Sequence, residues 1–338
     1  VLLCGYGRNL QLSCHSALCE SGLVRIFPDK LVSMRNFIPA LSIFFAGGIL
    51  FSSTQTADQE SSVIRAQVDV VNVLCTIQDR RGNYVRDLSR HDFEVIEDGV
   101  EQTIDFFSNQ TGGDAQPLTI VLLIDTSGSV KDKLEFEQMA AAEFLRQTLR
   151  KNQDMAAVVQ FDSDLALVQD FTYDYALLET AINNLRAGGA TKLYDAIWVS
   201  VDELLRHEVG RKVMVVVSDG ADTQSMVSDE EAIQMAQQED VVIYGIGVRS
   251  GRFDSDFGKL SKFAKSTGGL FFNSKARPDT LREAFAKINL GIKNQYSLGY
   301  VSTNPRHDGS FREIKVKVKR SRLKATYRKG YYAPRGDP

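Results

Sequence analysis

The sequence predicts an α/β protein: a doubly wound, mostly parallel sheet inserted between two β segments that together form a small β-sandwich-like domain. Three observations carry this. Continuous apolar runs of strand length alternate with segments of helical spacing between residues 118 and 292. The flanks on either side have a period of two instead. Each flank, near 45 residues, is small for an independent core, so the two are expected to join.

The first flank opens with QVDVVNVLCTIQ from residue 67, in which Val71, Val73, Cys75 and Ile77 alternate with polar or smaller neighbours. The segment DRRGN marks a turn. DFEVIEDGVEQTIDFF then places Asp98-Gly99 between two β-rich runs, a hairpin signal because a type I′ turn needs positive φ. Residues 111–117, TGGDAQP, read as a linker.

The central region begins with LTIVLLID at 118–125, a strand covered on both faces. Residues 133–150 have helical spacing through Leu134, Met139, Ala142, Leu145 and Leu149. MAAVVQF at 155–161 is a second buried strand. Residues 173–185 and 192–207 read as helices, 212–219 as a strand, 229–238 as a helix and 241–248 as a strand. A helix over 257–266, a strand over 269–273 and a helix over 279–292 complete the alternation, which implies right-handed βαβ units. After Ile292, NQYSLGYVS, FREIKVKVKR and LKATYRKGYY return to period two.

The boundaries that follow are 58–115 for the first β part, 116–292 for the α/β domain and 293–338 for the second β part. Residues 34–57 read as a signal peptide: Met34 and Arg35 lead an apolar stretch, Phe37 to Phe51, that is 15 residues long. A spanning helix needs about 20 such residues. An uncleaved N-terminal anchor is the alternative. Residues 1–33 hold Cys4, Cys14 and Cys19 and show no sustained periodicity, so they are expected to be a non-native or disordered extension. Cys75 would then be the one cysteine of the mature chain, and stability must come from the core.

The 338 residues carry 40 Lys+Arg and 43 Asp+Glu, a net charge of −3. That excludes a basic nucleic-acid binder by bulk charge, and export argues further against a nucleic-acid partner. The charge is uneven: residues 58–292 have a net of −14 and residues 293–338 a net of +9. Lys315, Lys317 and Lys319 alternate with Ile314, Val316 and Val318. The first reading is the wet face of an antiparallel strand, where Lys also blocks edge pairing. The second is a contact with an anionic envelope surface.

The candidate chemistry lies at strand ends. The strand ending at Ile124 runs into Asp125-Thr126-Ser127-Gly128-Ser129, at the carboxyl edge where open α/β sheets bind ligands. One carboxylate and two hydroxyls within five residues are a hard, oxygen-only set, suited to Mg²⁺. Thr191 in GGATKLYDA and Asp219 in VVVSDGAD add oxygens at other strand ends. An N-cap role is the plainer reading of Asp125 and Ser127. Asp195 and Asp222 lie beside the site, and Asp195 is expected to favour a helix N-terminus through its dipole.

DTSGS followed by Thr191 and Asp219 resembles the metal-ion-dependent adhesion site of the von Willebrand factor type A family, over about 116–292. All five positions of its DxSxS…T…D pattern are present. The flanks, up to the terminal RKGYY, are similar to the bacterial VWFA-related exported proteins, which extends the resemblance over nearly all of 63–334. It implies a Rossmann-like type A domain whose Ser127, Ser129 and Thr191 offer hydroxyls to Mg²⁺ or Mn²⁺. Asp125 and Asp219 would act mainly through water. One coordination position would stay open for an Asp or Glu of a protein partner.

Enzyme readings fit less well. Aspartyl phosphotransferases resemble a DxD pattern whose second Asp is the acid/base, and here that position is Ser127. The sequence holds no GxSxG, no phosphate-loop GxxxxGK, and GIGVRSG lacks the GxGxxG spacing. The expected function is a non-enzymatic, adhesion-type protein-binding module that is periplasmic, secreted or on the cell surface. The alternative is a structural or assembly component of the envelope with a stabilising metal, and a metal-dependent hydrolase comes third. Nothing in the sequence sets the oligomeric state.

Overall fold

The computed structural model describes residues 70–109, 115–249 and 257–335. The extension over 1–33, the signal peptide over 34–57 and part of the 111–117 linker lie outside the described residues. The period-two flank forms β1 (Val70–Gln78), β2 (Phe93–Glu97), β3 (Val100–Gln102) and β4 (Phe106–Asn109). Asp98 and Gly99 have φ of 47° and 87°, the positive values that a type I′ turn demands between β2 and β3.

The alternating region follows as β5 (Leu118–Asp125), α1 (Leu134–Thr148), β6 (Met155–Phe161), β7 (Leu165–Thr172), α2 (Tyr175–Asn183) and α3 (Leu193–Val199). Then come β8 (Arg211–Ser218), α4 (Asp229–Gln238), β9 (Val241–Arg249), α5 (Gly258–Thr267), β10 (Phe271–Lys275) and α6 (Pro278–Lys293). These six strands make one sheet in the order β10-β9-β8-β5-β6-β7. All pairs are parallel except β6 with β7. Every residue of β5 is buried because both faces are covered. Ile120, Leu122 and Ile124 enter the core under α1, α2 and α6, while Val121 and Leu123 enter the core under α3, α4 and α5.

Two details differ from the sequence reading. β7 was not expected. It is an edge strand, mostly half-exposed, so Asp170 and Gln169 interrupt any apolar run. The single helix expected over 192–207 passes after about two turns into a π segment, Ser200–Leu205, where the Arg206 N–H donates to Val201 O at 2.8 Å. Trp198 packs against the core beneath α3.

The C-terminal flank forms β11 (Gln295–Val301), β12 (Phe311–Val318), β13 (Lys324–Tyr327) and β14 (Gly330–Tyr332). It interleaves with the N-terminal flank in two four-stranded sheets, β13-β1-β11-β4 and β14-β12-β2-β3. Their inner faces share one core, which includes Val73, buried Cys75, Ile77, Val95, Tyr296, Leu298 and Ile314. The Lys315–Lys317 face of β12 is exposed, and Lys317 pairs with Glu94 at 2.6 Å. β14 pairs with β12 only over Phe311–Glu313, so along Lys315–Lys317 the side of β12 away from β2 has no paired strand among the described residues.

The sandwich also buries charge. Glu97 and Arg312, each 2% exposed, face each other at 3.4 Å, and the Tyr300 and Tyr331 hydroxyls donate to Glu97 at 2.8 and 3.0 Å. Arg328 clamps the sandwich to the α/β unit. It donates to Asn72 O in β1, to Gln237 O in α4 and to the Asp240 carboxylate. Gly268, with φ of 84°, ends α5 where a Cβ would lie 2.5 Å from the Arg328 nitrogen, so only glycine lets the two backbones meet.

Candidate metal centre

The sheet order switches direction at β5: the chain leaves it for β6 on one side and later returns to β8 on the other. Loops at the carboxyl ends of β5 and β8 therefore diverge and leave a crevice. Asp125 closes β5 and Asp219 follows β8, so strand pairing alone brings two distant carboxylates to one edge.

Hydrogen bonds assemble the rest. The Asp125 Oδ1 accepts the Ser127 N–H at 2.9 Å, which turns the loop back on itself. The Ser127 and Ser129 hydroxyl oxygens are 3.0 Å apart, and Ser129 Oγ donates to Asp219 Oδ2 at 2.6 Å. Asp125, Ser127 and Asp219 are buried, whereas Ser129 is exposed at the rim. The N-cap reading does not describe them: Ser127 precedes a single 3₁₀ turn without a side-chain cap, and the α1 cap position is Lys133.

Thr191 reaches the same edge through its backbone. The Gly128 N–H donates to Gly189 O at 3.0 Å, which joins the loop before α3 to the loop after β5. The Thr191 N–H donates to Thr223 Oγ1 at 3.2 Å, and Thr191 O accepts from the Thr223 N–H at 3.0 Å, tying it to the segment beyond Asp219. Thr191 is buried, on the loop beside the four linked residues and outside their hydrogen-bonded chain.

The supporting residues are mostly ones that the motif does not name. Ser218 donates to Asp125 Oδ2 at 2.7 Å and accepts the Gly220 N–H at 3.0 Å. Asp222 Oδ1 takes the Leu193 N–H at 2.8 Å and the Ser225 hydroxyl at 2.6 Å. Asp195 does sit in the first turn of α3, and its Oδ1 also accepts the N–H groups of Met226 and Val227 at 2.8 and 3.0 Å. Asp195 and Asp222 are thus engaged in holding the loop.

Burial pushes the Asp125 carboxyl up; hydrogen bonds from Ser218 and Ser127 offset part of this, and the charge of Asp219 adds to it. A second carboxyl stands behind the site. Glu137 in α1 is fully buried, and neither of its oxygens has a hydrogen-bond partner among the described residues. Burial lifts it to about 8; Lys133 lowers it, and Asp125 and Asp219 raise it. In the sequence it looked like one more charge on a helix. The signal available was its position beside Ala140, Ala141 and Phe144 on the apolar face.

Among the described residues no three His, Cys, Asp or Glu side chains gather as a metal cluster. A cation here would rest on hydroxyls, two carboxylates and water, which is the donor chemistry of a hard ion. The close approach of Ser127, Ser129 and Asp219 oxygens fits that set.

The family model of the von Willebrand factor type A domain matches residues 119–287, half of the chain. The chain belongs to this family. An uncharacterized protein of Borreliella burgdorferi is 26% identical to this type A domain protein over 183 residues, 46% of this chain and 53% of its own length. The chain thus spans about half the length of the curated relative it matches. BatB from Bacteroides thetaiotaomicron superposes on the type A domain protein with a TM-score of 0.44 and 15% identity, over 52% of this chain and all of BatB. The von Willebrand domain of the Porphyromonas gingivalis pilus-tip protein Mfa5 gives 0.45 and 16%, over 52% and 95%. A mussel byssus matrix protein with a zinc-occupied adhesion-site motif gives 0.48 and 18%, over 59% and 50%.

Proposed function

We propose that this type A domain protein is an exported, non-enzymatic binding module that captures an acidic side chain of a protein partner through a divalent cation. Asp125, Ser127, Ser129, Thr191 and Asp219 would hold Mg²⁺ or Mn²⁺, which supplies an electrophile for a partner carboxylate. The observation that carries the reading is the hydrogen-bonded chain from Asp125 through Ser127 and Ser129 to Asp219 at the sheet's switch point. Ser129 and Gly128 are exposed, so a folded partner can reach the rim. The position of a second acid is taken by Ser127, which supports binding over proton transfer. Export rests on the apolar run within 34–57; no helix among the described residues is long and apolar enough to cross a membrane.

A second reading is a structural component whose ion only stabilises the loops. It is favoured by the repulsion between buried Asp125 and Asp219, which a cation relieves. Thr191→Ala separates the two. Under the binding reading, capture of a partner from envelope extract falls to the level seen in EDTA while the melting temperature barely moves. Under the structural reading, the melting temperature falls and capture follows the folded fraction. Unchanged capture by folded Thr191→Ala protein would refute the binding role.

A further inference from the structure

The amino ends of β5 and β8 line a cavity of about 300 Å³. Leu118 there and Asp125 at the metal centre are the two ends of β5, about 23 Å apart at 3.3 Å per residue. The two sites are therefore separate. Four cations line the cavity: Arg86 from the loop between β1 and β2, Arg150 beyond α1, Arg211 at the start of β8 and Lys293 at the end of α6. Asp154 is the only acid among the described lining residues.

Asp154 is already engaged. It takes the Arg150 Nε and Nη2 at 2.8 and 2.7 Å, and the N–H groups of Leu118 and Arg150, each at 2.9 Å. Arg211 has no such partner. It is 4% exposed, and its Nη1 donates to two neutral oxygens, Ile292 O at 2.9 Å and Gln295 Oε1 at 3.3 Å. Its Nε is buried with no acceptor, as is the hydroxyl of Thr148 beside it in the lining. No carboxylate among the described residues hydrogen-bonds or ion-pairs with Arg211; burial and the like charge of Arg150 disfavour its cation, and the charge of Asp154, itself bound to Arg150, offsets only part of this. A buried charge with no carboxylate of its own to pair with is costly to keep. A guanidinium fork in such a place matches the geometry of a carboxylate or phosphate.

We propose that this cavity binds a small oxyanion, phosphate or carboxylate, with Arg211 as its buried anchor and Arg86 and Lys293 as its outer contacts. Arg86 comes from the sandwich and the other three cations from the α/β unit, so the bound anion ties the two together.

The probe is inorganic phosphate, added to the full chain in EDTA at constant ionic strength with chloride as the reference. The melting temperature is expected to keep rising with the logarithm of phosphate concentration above the dissociation constant, and calorimetric titration, which does saturate, gives the affinity. Acetate, titrated in the same way, tells a carboxylate site from a phosphate site. Arg211→Gln loses the response but can also disturb folding. Arg86→Gln is the cleaner variant, because Arg86 is exposed and makes no hydrogen bond or ion pair among the described residues. It should weaken anion binding roughly tenfold, the loss of one charge-assisted hydrogen bond, and leave the melting temperature in chloride unchanged. Asp125→Ala should bind the anion as the parent does, whatever becomes of the metal centre. No saturable response to either anion, or parental affinity in Arg86→Gln, overturns the proposal. So does loss of anion binding in Asp125→Ala.

Discussion

The Ser129 hydroxyl donates to Asp219 Oδ2 at 2.6 Å across 90 residues of chain. One bond thus fixes the loop after β5 against the loop after β8. A hydroxyl bound to a carboxylate is charge-assisted and shorter than a neutral pair. A cation held there would share both oxygens.

Titration calorimetry with Mn²⁺ or Mg²⁺ is expected to show weak binding, because water completes much of the shell. Asp219→Ala and Asp125→Ala should abolish the heat. Ser129→Ala should weaken it by about tenfold while the fold persists. Equal heats for the parent and Asp125→Ala would remove the site assignment.

Glu137 makes stability depend on pH in a definite direction. Near pH 4 its carboxyl keeps its proton in both states. Above that, the unfolded chain ionises it while burial holds the folded group neutral up to about 8. Stability is therefore lost as pH rises through this window and levels off above it. Glu137→Gln keeps the shape without the titration. Urea unfolding in EDTA should find the variant more stable by up to roughly 4 kcal/mol at pH 8 and no different at pH 4. Parallel pH profiles for parent and variant would contradict this.

Gly189 has φ of 81°, and a Cβ on it would lie 2.7 Å from Ser163 Oγ, which itself accepts the Ala190 N–H. Gly189→Ala should cost about 1–2 kcal/mol for the left-handed backbone. It should also move Thr191 and so lower cation affinity by more than the stability loss explains. Thermal unfolding and metal titration on one preparation check both.

Ending the chain after Lys293 should release β1. Among the described strands it pairs with β11 and β13, so removing them leaves its ladder empty but for the Gln78–Tyr84 bridge and its apolar face uncovered. Hydrogen exchange over residues 70–78 should rise to unprotected rates while the β5 and β8 amides stay protected. Retained protection in β1 would show that the flanks hold their fold independently.

Much of the fold was legible because burial on both faces writes itself as an unbroken apolar run, as in LTIVLLID, and because Asp98-Gly99 declares its turn. The meeting of Asp125 and Asp219 was legible because the sheet brings the ends of β5 and β8 together whatever lies between them; Thr191, expected at a strand end, lies on the loop between α2 and α3. Glu97 was not: alternation places it on the face of Phe93 and Val95, where a carboxylate is out of keeping, and the Arg312 that makes its burial tolerable lies 215 residues away. Glu137 hid in the same manner. The segment from 323 onward read as one β stretch, yet β13 and β14 belong to different sheets, because Arg328 turns inward between them to meet α4. Buried charge is set by partners remote in sequence, which local pattern does not record.

Among the described residues the α/β unit meets the sandwich through the Arg328 clamp and around the cavity that Leu118 and Lys293 line, and it presents Asp125, Ser129 and Asp219 at the opposite end of β5 and β8. A pull applied at that far edge and resisted by the sandwich runs along the length of β5 and β8. Their seven paired positions then bear the load side by side, in shear. A sheet held in this way yields as a block or not at all, whereas a pull across the strands would unzip it one bond at a time.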